Sequence, residues 1–264
     1  MGEIVSHAAI RRERCSLCTA RHLGFCAPLE FEELAEVESA RSSTRVFLPG
    51  AYLYHQGESA EECYTILEGW VAQSITLESG AVQIIDFGIK GSFIGLNADS
   101  DEMNTHSARC ITPVKVCGFS RHKLKHLMAT DARLANRVHD LTACHEARAN
   151  DHLVNVARRD ARGRVAHLLR ELFYRLYRRL PEGKGEAIAL PLTLAHIGDA
   201  VGLTNVHVSR VLRSLRESGV LQLRRSQLLV LDPPAFIAAA DVERGFPDYP
   251  DVPAPPDSET QAKA

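Results

Sequence analysis

Residues 190–231, LPLTLAHIGDAVGLTNVHVSRVLRSLRESGVLQLRRSQLLVL, constrain the fold more than any other part of the chain. Thr193 is a good N-cap, and Leu194, Ile197 and Val201 follow at helical spacing. Gly202 marks a turn. Thr204 then caps a second helix whose buried stripe is Val208, Val211 or Leu212, and Leu215, and Gly219 stops it. Two short helices around a tight glycine turn form the geometry that lays the second helix in a DNA major groove. Its expected DNA-facing residues are the cap Thr204 with Asn205, Val206, Ser209, Arg210 and Arg213. LQLRRSQLLVL reads as two short strands around Arg224–Gln227, a wing whose basic residues lie near backbone phosphates. Arg210 is the expected base contact, because a guanidinium bonds bidentately to guanine O6 and N7.

The charge pattern agrees. From Arg158 to Val230 there are 14 Lys/Arg against 6 Asp/Glu, a balance of +8 in a chain whose net charge is -2. A basic end on an otherwise acidic chain points to polyanion binding. Caps, turn glycine, wing and charge together weigh against a plain helical hairpin with solvated arginines.

The second constraint is CSLCTARHLGFC, residues 15–26. Cys15, Cys18 and Cys26 fall within twelve positions, and soft thiolates crowded in this way suit an iron-sulfur cluster or zinc. Three are one ligand short. Cys15, Cys18, His22 and Cys26 alone give C-x2-C-x3-H-x3-C, a zinc site of three thiolates and one imidazole. Cys15 and Cys18 also form a CxxC pair suited to a thiol-disulfide switch. Seven cysteines, odd in number and irregularly spaced, with no signal peptide, argue against a disulfide framework and for a reducing cytoplasm. No apolar run approaches the roughly 18 residues needed to span a bilayer. Cys63 and Cys144 read as small core or interface residues.

Between these two stretches the texture changes twice. From Arg45 to about Phe119, short β-rich runs alternate with Gly50, Gly57, Gly69, Gly80, Gly88 and Gly91, which predicts an antiparallel sandwich or barrel. From Arg121 to Arg179 proline is absent and Gly163 is the one glycine, which predicts helix. Within it Val138, Leu141, His145, Ala149, His152 and Val156 fall at steps of three and four, a coiled-coil-like seam with two histidines where leucines would sit. The resulting organisation is a cysteine-bearing segment (1–30), a strand-rich domain (31–128) that opens on a short helix, FEELAEVES, and a long helix (129–160). A winged helix (161–235) follows, and a Pro- and acid-rich tail (246–264) reads as disordered.

This layout, with IGDAVGLTNVHVSRVLRSLRESGVL near its end, resembles the Crp/Fnr transcription regulators over nearly all of residues 15–235. The resemblance implies an α+β chain: an N-terminal β-roll sensor of the cyclic-nucleotide-binding type, a long dimerisation helix and a C-terminal winged helix-turn-helix. It implies a homodimer on a palindromic operator, with RNA polymerase as a partner, and no enzymatic activity. Cyclic AMP is not expected. The family's phosphate cassette resembles Gly-Glu followed by Arg-Ser-Ala, whereas here GSFIG runs into Leu96, and Asn104, Thr105 and His106 stand at the Arg-Ser-Ala positions. Arg109 comes too late to replace that arginine.

The FNR branch is the better match. Its members carry three N-terminal cysteines and a fourth from the β-roll, which hold an oxygen-labile [4Fe-4S] cluster. CTARHLGFC resembles the version found in alphaproteobacterial Fnr-like regulators, and KVCGFSRHKL puts Cys117 where that branch has its fourth cysteine. Cys110, seven residues earlier, is the rival. The cluster set implied is therefore Cys15, Cys18, Cys26 and Cys117, with zinc as the alternative cofactor. One departure concerns the DNA contacts. FNR proteins read DNA with Glu-x-x-Ser-Arg, and here Ser209 and Arg210 match while Val206 replaces the glutamate. Valine cannot accept a hydrogen bond from cytosine, though it can pack on a thymine methyl. Related Crp/Fnr proteins also carry Val-His-Val here, many of them without a cluster, so a cluster-free regulator is the alternative. An iron-sulfur oxidoreductase would need a substrate or flavin site, and no GxGxxG, P-loop or HExxH is found.

Overall fold

The computed structural model describes residues 14–18, 20, 22–27, 29, 31–96 and 103–240. The acidic tail expected at 246–264 lies outside them. The chain divides into two units, with the break between Ala149 and Asn150.

In the first unit, helix α1 (Phe31–Ala40) leads into eight strands. These are β1 (Arg41–Phe47), β2 (Tyr52–Tyr54), β3 (Glu62–Glu68), β4 (Val71–Thr76), β5 (Val82–Gly88), β6 (Phe93–Ile94), β7 (Ser107–Cys110) and β8 (Val114–Ser120). They form two four-stranded antiparallel sheets, ordered β1-β8-β3-β6 and β2-β7-β4-β5. The α+β expectation with a β-roll is borne out. Helix α2 (Arg121–Thr130) follows, its first turn capped by the Ser120 hydroxyl, and then the 27-residue helix α3 (Ala132–Arg158).

Strand alternation gives this unit two cores. On β8, Val114 and Val116 join Phe47, Leu53, Ile66, Val71 and Ala108 in a core that unites the two sheets. Cys117 and Phe119, on the opposite face of the same strand, join a second core with Cys63, Leu67 and Phe93. That second core is covered by Leu34 and Val37 of α1, Leu124 of α2, and Leu134, Val138 and Leu141 of α3. Cys15, Ala20, Phe25 and Leu29 complete the cover, so the N-terminal segment is packed onto the outer face of one sheet.

The second unit holds the end of α3, then α4 (Ala161–Tyr177), β9 (Ala187–Ala189), α5 (Leu194–Val201) and α6 (Asn205–Glu217). The strands β10 (Leu221–Arg224) and β11 (Gln227–Val230) follow, then α7 (Pro233–Ala239). The three strands form an antiparallel sheet in the order β10-β11-β9. Leu168, Leu169, Leu172, Ile197, Val208, Leu215, Leu228 and Phe236 are buried. Asp160 caps α4 by accepting from the Gly163 amide at 2.7 Å. Two polar pairs, each with its α4 member buried, tie α4 to the end of α3: His167 Nε2 stands 2.7 Å from Asp151 Oδ2, and His152 Nε2 stands 3.1 Å from Glu171 Oε2.

Candidate functional site

The three N-terminal cysteines and Cys117 line one pocket. Two short 3-10 turns, Cys15–Leu17 and Gly24–Cys26, carry Cys15 and Cys26, and Cys18 is the C-cap of the first. Phe25 anchors the second turn. Its ring is fully buried, stacked on Phe93 at 4.4 Å and edge-on to Phe119 at 5.9 Å. Gly24 has φ of 55°, and a Cβ there would lie 1.8 Å from the Gly91 carbonyl oxygen, so this turn requires glycine. From α3, the Arg137 guanidinium donates to the Gly24 carbonyl, and its Nε donates to the Phe25 carbonyl at 3.4 Å.

The floor of the pocket is a row across the sheet. Cys117 pairs with Thr44 of β1 on one side and Thr65 of β3 on the other, so the three side chains share a face. Arg41, Leu34, Leu67 and Phe119 complete the walls. Arg41 Nη1 donates to Cys15 Sγ at 3.7 Å. Burial pushes the Cys117 thiol up to about 12, while the neighbouring Arg41 charge pulls the other way; Cys15 is raised for the same reason, with the same opposition. Cys110 is elsewhere, buried in the core between the two sheets, with its thiol also pushed up to about 12 by burial. Sequence reasoning missed Arg41, Thr44 and Thr65, because their presence in the pocket follows from strand register.

The pocket's donor set is four thiols, a soft set whose chemistry suits zinc or an iron-sulfur cluster. Among the described residues no three His, Cys, Asp or Glu side chains converge tightly enough to hold one metal ion. Tetrahedral zinc would need sulfurs about 3.8 Å apart, given Zn–S bonds of about 2.3 Å. His22, the fourth ligand of the alternative zinc motif, is exposed and does not line the pocket. A four-iron cluster would take one thiolate per iron. The Thr65 hydroxyl is buried without a hydrogen-bond partner.

Two of the cassette positions join a polar network, while Asn104 Oδ1 beside them is buried without a hydrogen-bond partner. His106 is buried, its Nε2 2.9 Å from the Tyr54 hydroxyl and 3.0 Å from Gln73 Oε1, its Nδ1 3.1 Å from Thr105 Oγ1. Gln73 donates to Asp86, which also pairs with Arg148 of α3 at 3.1 Å. Arg109 is exposed, donating to the Gly50 carbonyl at 3.2 Å and lying over the Tyr52 ring.

Helix α3 does not present the expected seam outward. Val138 and Leu141 are buried in their own unit's core, and His152 is engaged with Glu171. His145 and Val156 are half-buried, and Ala149 is exposed. The exposed positions Ala143, Glu146, Asn150, Leu153 and Ala157 recur at steps of three and four instead, and Leu153 is 63% exposed. The helix has apolar residues on more than one face, and the sheet takes the stripe with the larger side chains near its start.

The helix pair near the C-terminus is built as its sequence predicts. Thr193 and His196 form a capping box on α5, and Gly202 ends that helix in the left-handed region at φ 67°. The Thr204 hydroxyl caps α6 by accepting from the His207 amide at 3.3 Å. Val208, Val211 and Leu215 face inward, which leaves Thr204, Asn205, Val206, Ser209, Arg210 and Arg213 exposed. A shallow hollow on this side is lined by Thr204, Val206, His207, Arg210 and Ser214 of α6 and by Arg162 of α4. His207 and Arg162 were not anticipated. Arg162 also donates to the Ser214 and Ser218 hydroxyls at 3.2 and 3.0 Å, fixing α6 against α4. In the wing, Arg225 and Ser226 both have positive φ, the two-residue turn that a right-twisted hairpin favours, and it exposes Arg224 and Arg225.

Comparison with known proteins gives two family matches. Residues 44–131 match the cyclic nucleotide-binding domain, and residues 163–239 match the Crp-like helix-turn-helix domain. The chain is 30% identical to nitrogen fixation regulation protein FixK of Rhizobium meliloti, over 72% of this chain and 83% of that protein. It is 26% identical to transcriptional activator protein FnrL of Cereibacter sphaeroides, over 89% of this chain and 95% of that protein. Its fold is similar to the solved structure of FixK2 from Bradyrhizobium japonicum, with a TM-score of 0.68 and 25% identity, covering 77% of this chain and 99% of that one.

Proposed function

The chain belongs to the Crp/Fnr family of transcription regulators, and on that premise we propose that it is an oxygen-responsive homodimer governed by a [4Fe-4S] cluster on Cys15, Cys18, Cys26 and Cys117. It is a DNA-binding regulator, as its relatives are, and not an enzyme. Among the described residues no helix is long and apolar enough to cross a membrane. The observation that carries the oxygen reading is the single pocket lined by those four cysteines, three from the N-terminal segment and one from β8.

When bound, the cluster supplies an oxygen-labile cross-link between that segment and the sheet. The protein's own residues relay its presence. Phe25 seats the segment, and Arg137 ties its backbone to α3. Val138 and Leu141 of α3 pack in the same core as Cys15. An ordered segment therefore holds the first half of α3 in place, and a second copy pairs on the exposed side of that helix, centred on Ala143, Glu146, Asn150, Leu153 and Ala157. Pairing sets two α6 helices about 34–36 Å apart, one DNA turn, to read a palindromic operator in the cytoplasm. Arg210 reads a guanine, Val206 packs near a thymine methyl, and Arg224 and Arg225 meet phosphates. RNA polymerase is the downstream partner.

Iron, acid-labile sulfide and zinc, measured on anaerobically purified full-length protein, test this reading. About four irons and four sulfides per chain, with a brown absorbance that bleaches in air, are expected. Cys117→Ser should lose the absorbance and Cys110→Ser should keep it. Colourless protein would refute the cluster and leave a winged-helix regulator that answers to zinc or thiol oxidation.

A further inference from the structure

Three polar side chains, Arg41, Thr44 and Thr65, share the cysteine pocket, and packing alone does not explain the first and the last. Thr65 on β3 is 2% exposed and pairs in register with Cys117, yet its hydroxyl has no hydrogen-bond partner. A buried hydroxyl left in this way is costly unless something accepts from it. Arg41, the first residue of β1, is 8% exposed. It donates to Cys15 Sγ at 3.7 Å, lies 3.8 Å from Glu38, and lines the same pocket as Cys117. A guanidinium and a free hydroxyl thus flank the same four sulfurs.

We propose that Arg41 and Thr65 are hydrogen-bond donors to the cluster's sulfurs, Arg41 toward the Cys15 and Cys117 thiolates and Thr65 toward a sulfur beside Cys117, and that they set its potential and its lifetime in air. The inference rests on the cluster reading above. Hydrogen bonds to ligand sulfurs are one of the levers on cluster potential. One-electron reduction would add a negative charge to the group. A donor aimed at sulfur, and more so a fixed positive charge in a buried site, stabilises that extra charge and raises the potential. In air dioxygen would be the electron acceptor, and a more positive potential would make loss of an electron to it less favourable. Both residues are positioned to tune the group without ligating it.

The test uses full-length protein, anaerobically reconstituted, with potential read by dye-mediated titration and lifetime by the decay of visible absorbance in air-saturated buffer. Thr65→Val and Arg41→Leu should each shift the one-electron equilibrium toward the oxidised form by tenfold or more, which is 59 mV. Both should bleach several-fold faster. Thr65→Ser and Arg41→Lys, which restore a donor, should recover most of both changes. If Arg41→Leu takes up no iron, the near-isosteric Thr65→Val and the charge-keeping Arg41→Lys decide the matter. Variants that carry four irons with unchanged potential and bleaching rate would overturn the proposal and leave the cluster reading standing. A wild-type protein that takes up no cluster would overturn both.

Discussion

Replacing Phe25 by alanine isolates the contact that seats the N-terminal segment. The ring is fully buried between Phe93 and Phe119, with the Phe93 pair 10° from parallel. Removing a buried phenylalanine side chain costs about 3–5 kcal/mol, of which a stacked pair accounts for about 0.5–1.5 kcal/mol. Phe25 belongs to a short segment whose other buried residues, Cys15, Ala20 and Leu29, are small or few. The loss therefore falls on docking of the segment and not on global unfolding. At about 1.4 kcal/mol per tenfold, the open state gains about 10²- to 10⁴-fold in population. Amide hydrogen exchange on the metal-free full chain reads this directly, because the Leu23, Ala27 and Leu29 amides donate within the segment, to Ala20, Gly24 and Cys26. Peptides covering 22–29 should exchange faster by that factor, or reach the unprotected limit, while peptides of α6 stay unchanged. The buried Cys117 thiol should become alkylatable at the same time. Unchanged exchange at 22–29 would refute the anchoring role, and equal acceleration in α6 would refute its locality.

Three further outcomes follow from the same geometry. Val206→Glu should restore an acceptor on the exposed side of α6 and shift preference toward a C·G pair by about 1–3 kcal/mol, measured by binding to operators varied at one position; an unchanged profile would exclude Val206 from base contact. Leu153→Glu should weaken self-association in sedimentation without loss of helicity, whereas Leu141→Ala should instead lower the unfolding temperature, since Leu141 is already buried in its own core. His106 is held below its ordinary value by burial, against the opposing pull of Asp86. Below about pH 6.5, the unperturbed histidine value, the unfolded chain takes up a proton that the fold refuses. Stability should thus fall as pH drops from there toward the lowered folded value, by up to about 1.4 kcal/mol per pH unit. His106→Gln should flatten that limb in denaturant titrations, and an unaltered slope would remove His106 as its source.

Local order was legible without coordinates. Thr193, Gly202, Thr204 and the 3.6-residue period of Val208, Val211 and Leu215 specify the helix pair, because caps and periodicity act within a few residues. The cysteine spacing set the N-terminal segment apart, and glycine-punctuated β runs marked the sheets. What lay beyond reach depends on residues far apart in the chain. Thr65 and Cys117 meet because β3 and β8 pair in one register, and slipping either strand by one residue would turn the side chain away. The same alternation sends Cys117 to the pocket face of β8 and leaves Cys110 in the core between the sheets. Helix α3 shows the limit most clearly: its apolar residues fall on several faces, so its periodicity permits more than one stripe. Only the sheet, α1 and α2 packed against it decide that Val138 and Leu141 turn inward and Leu153 stays in solvent.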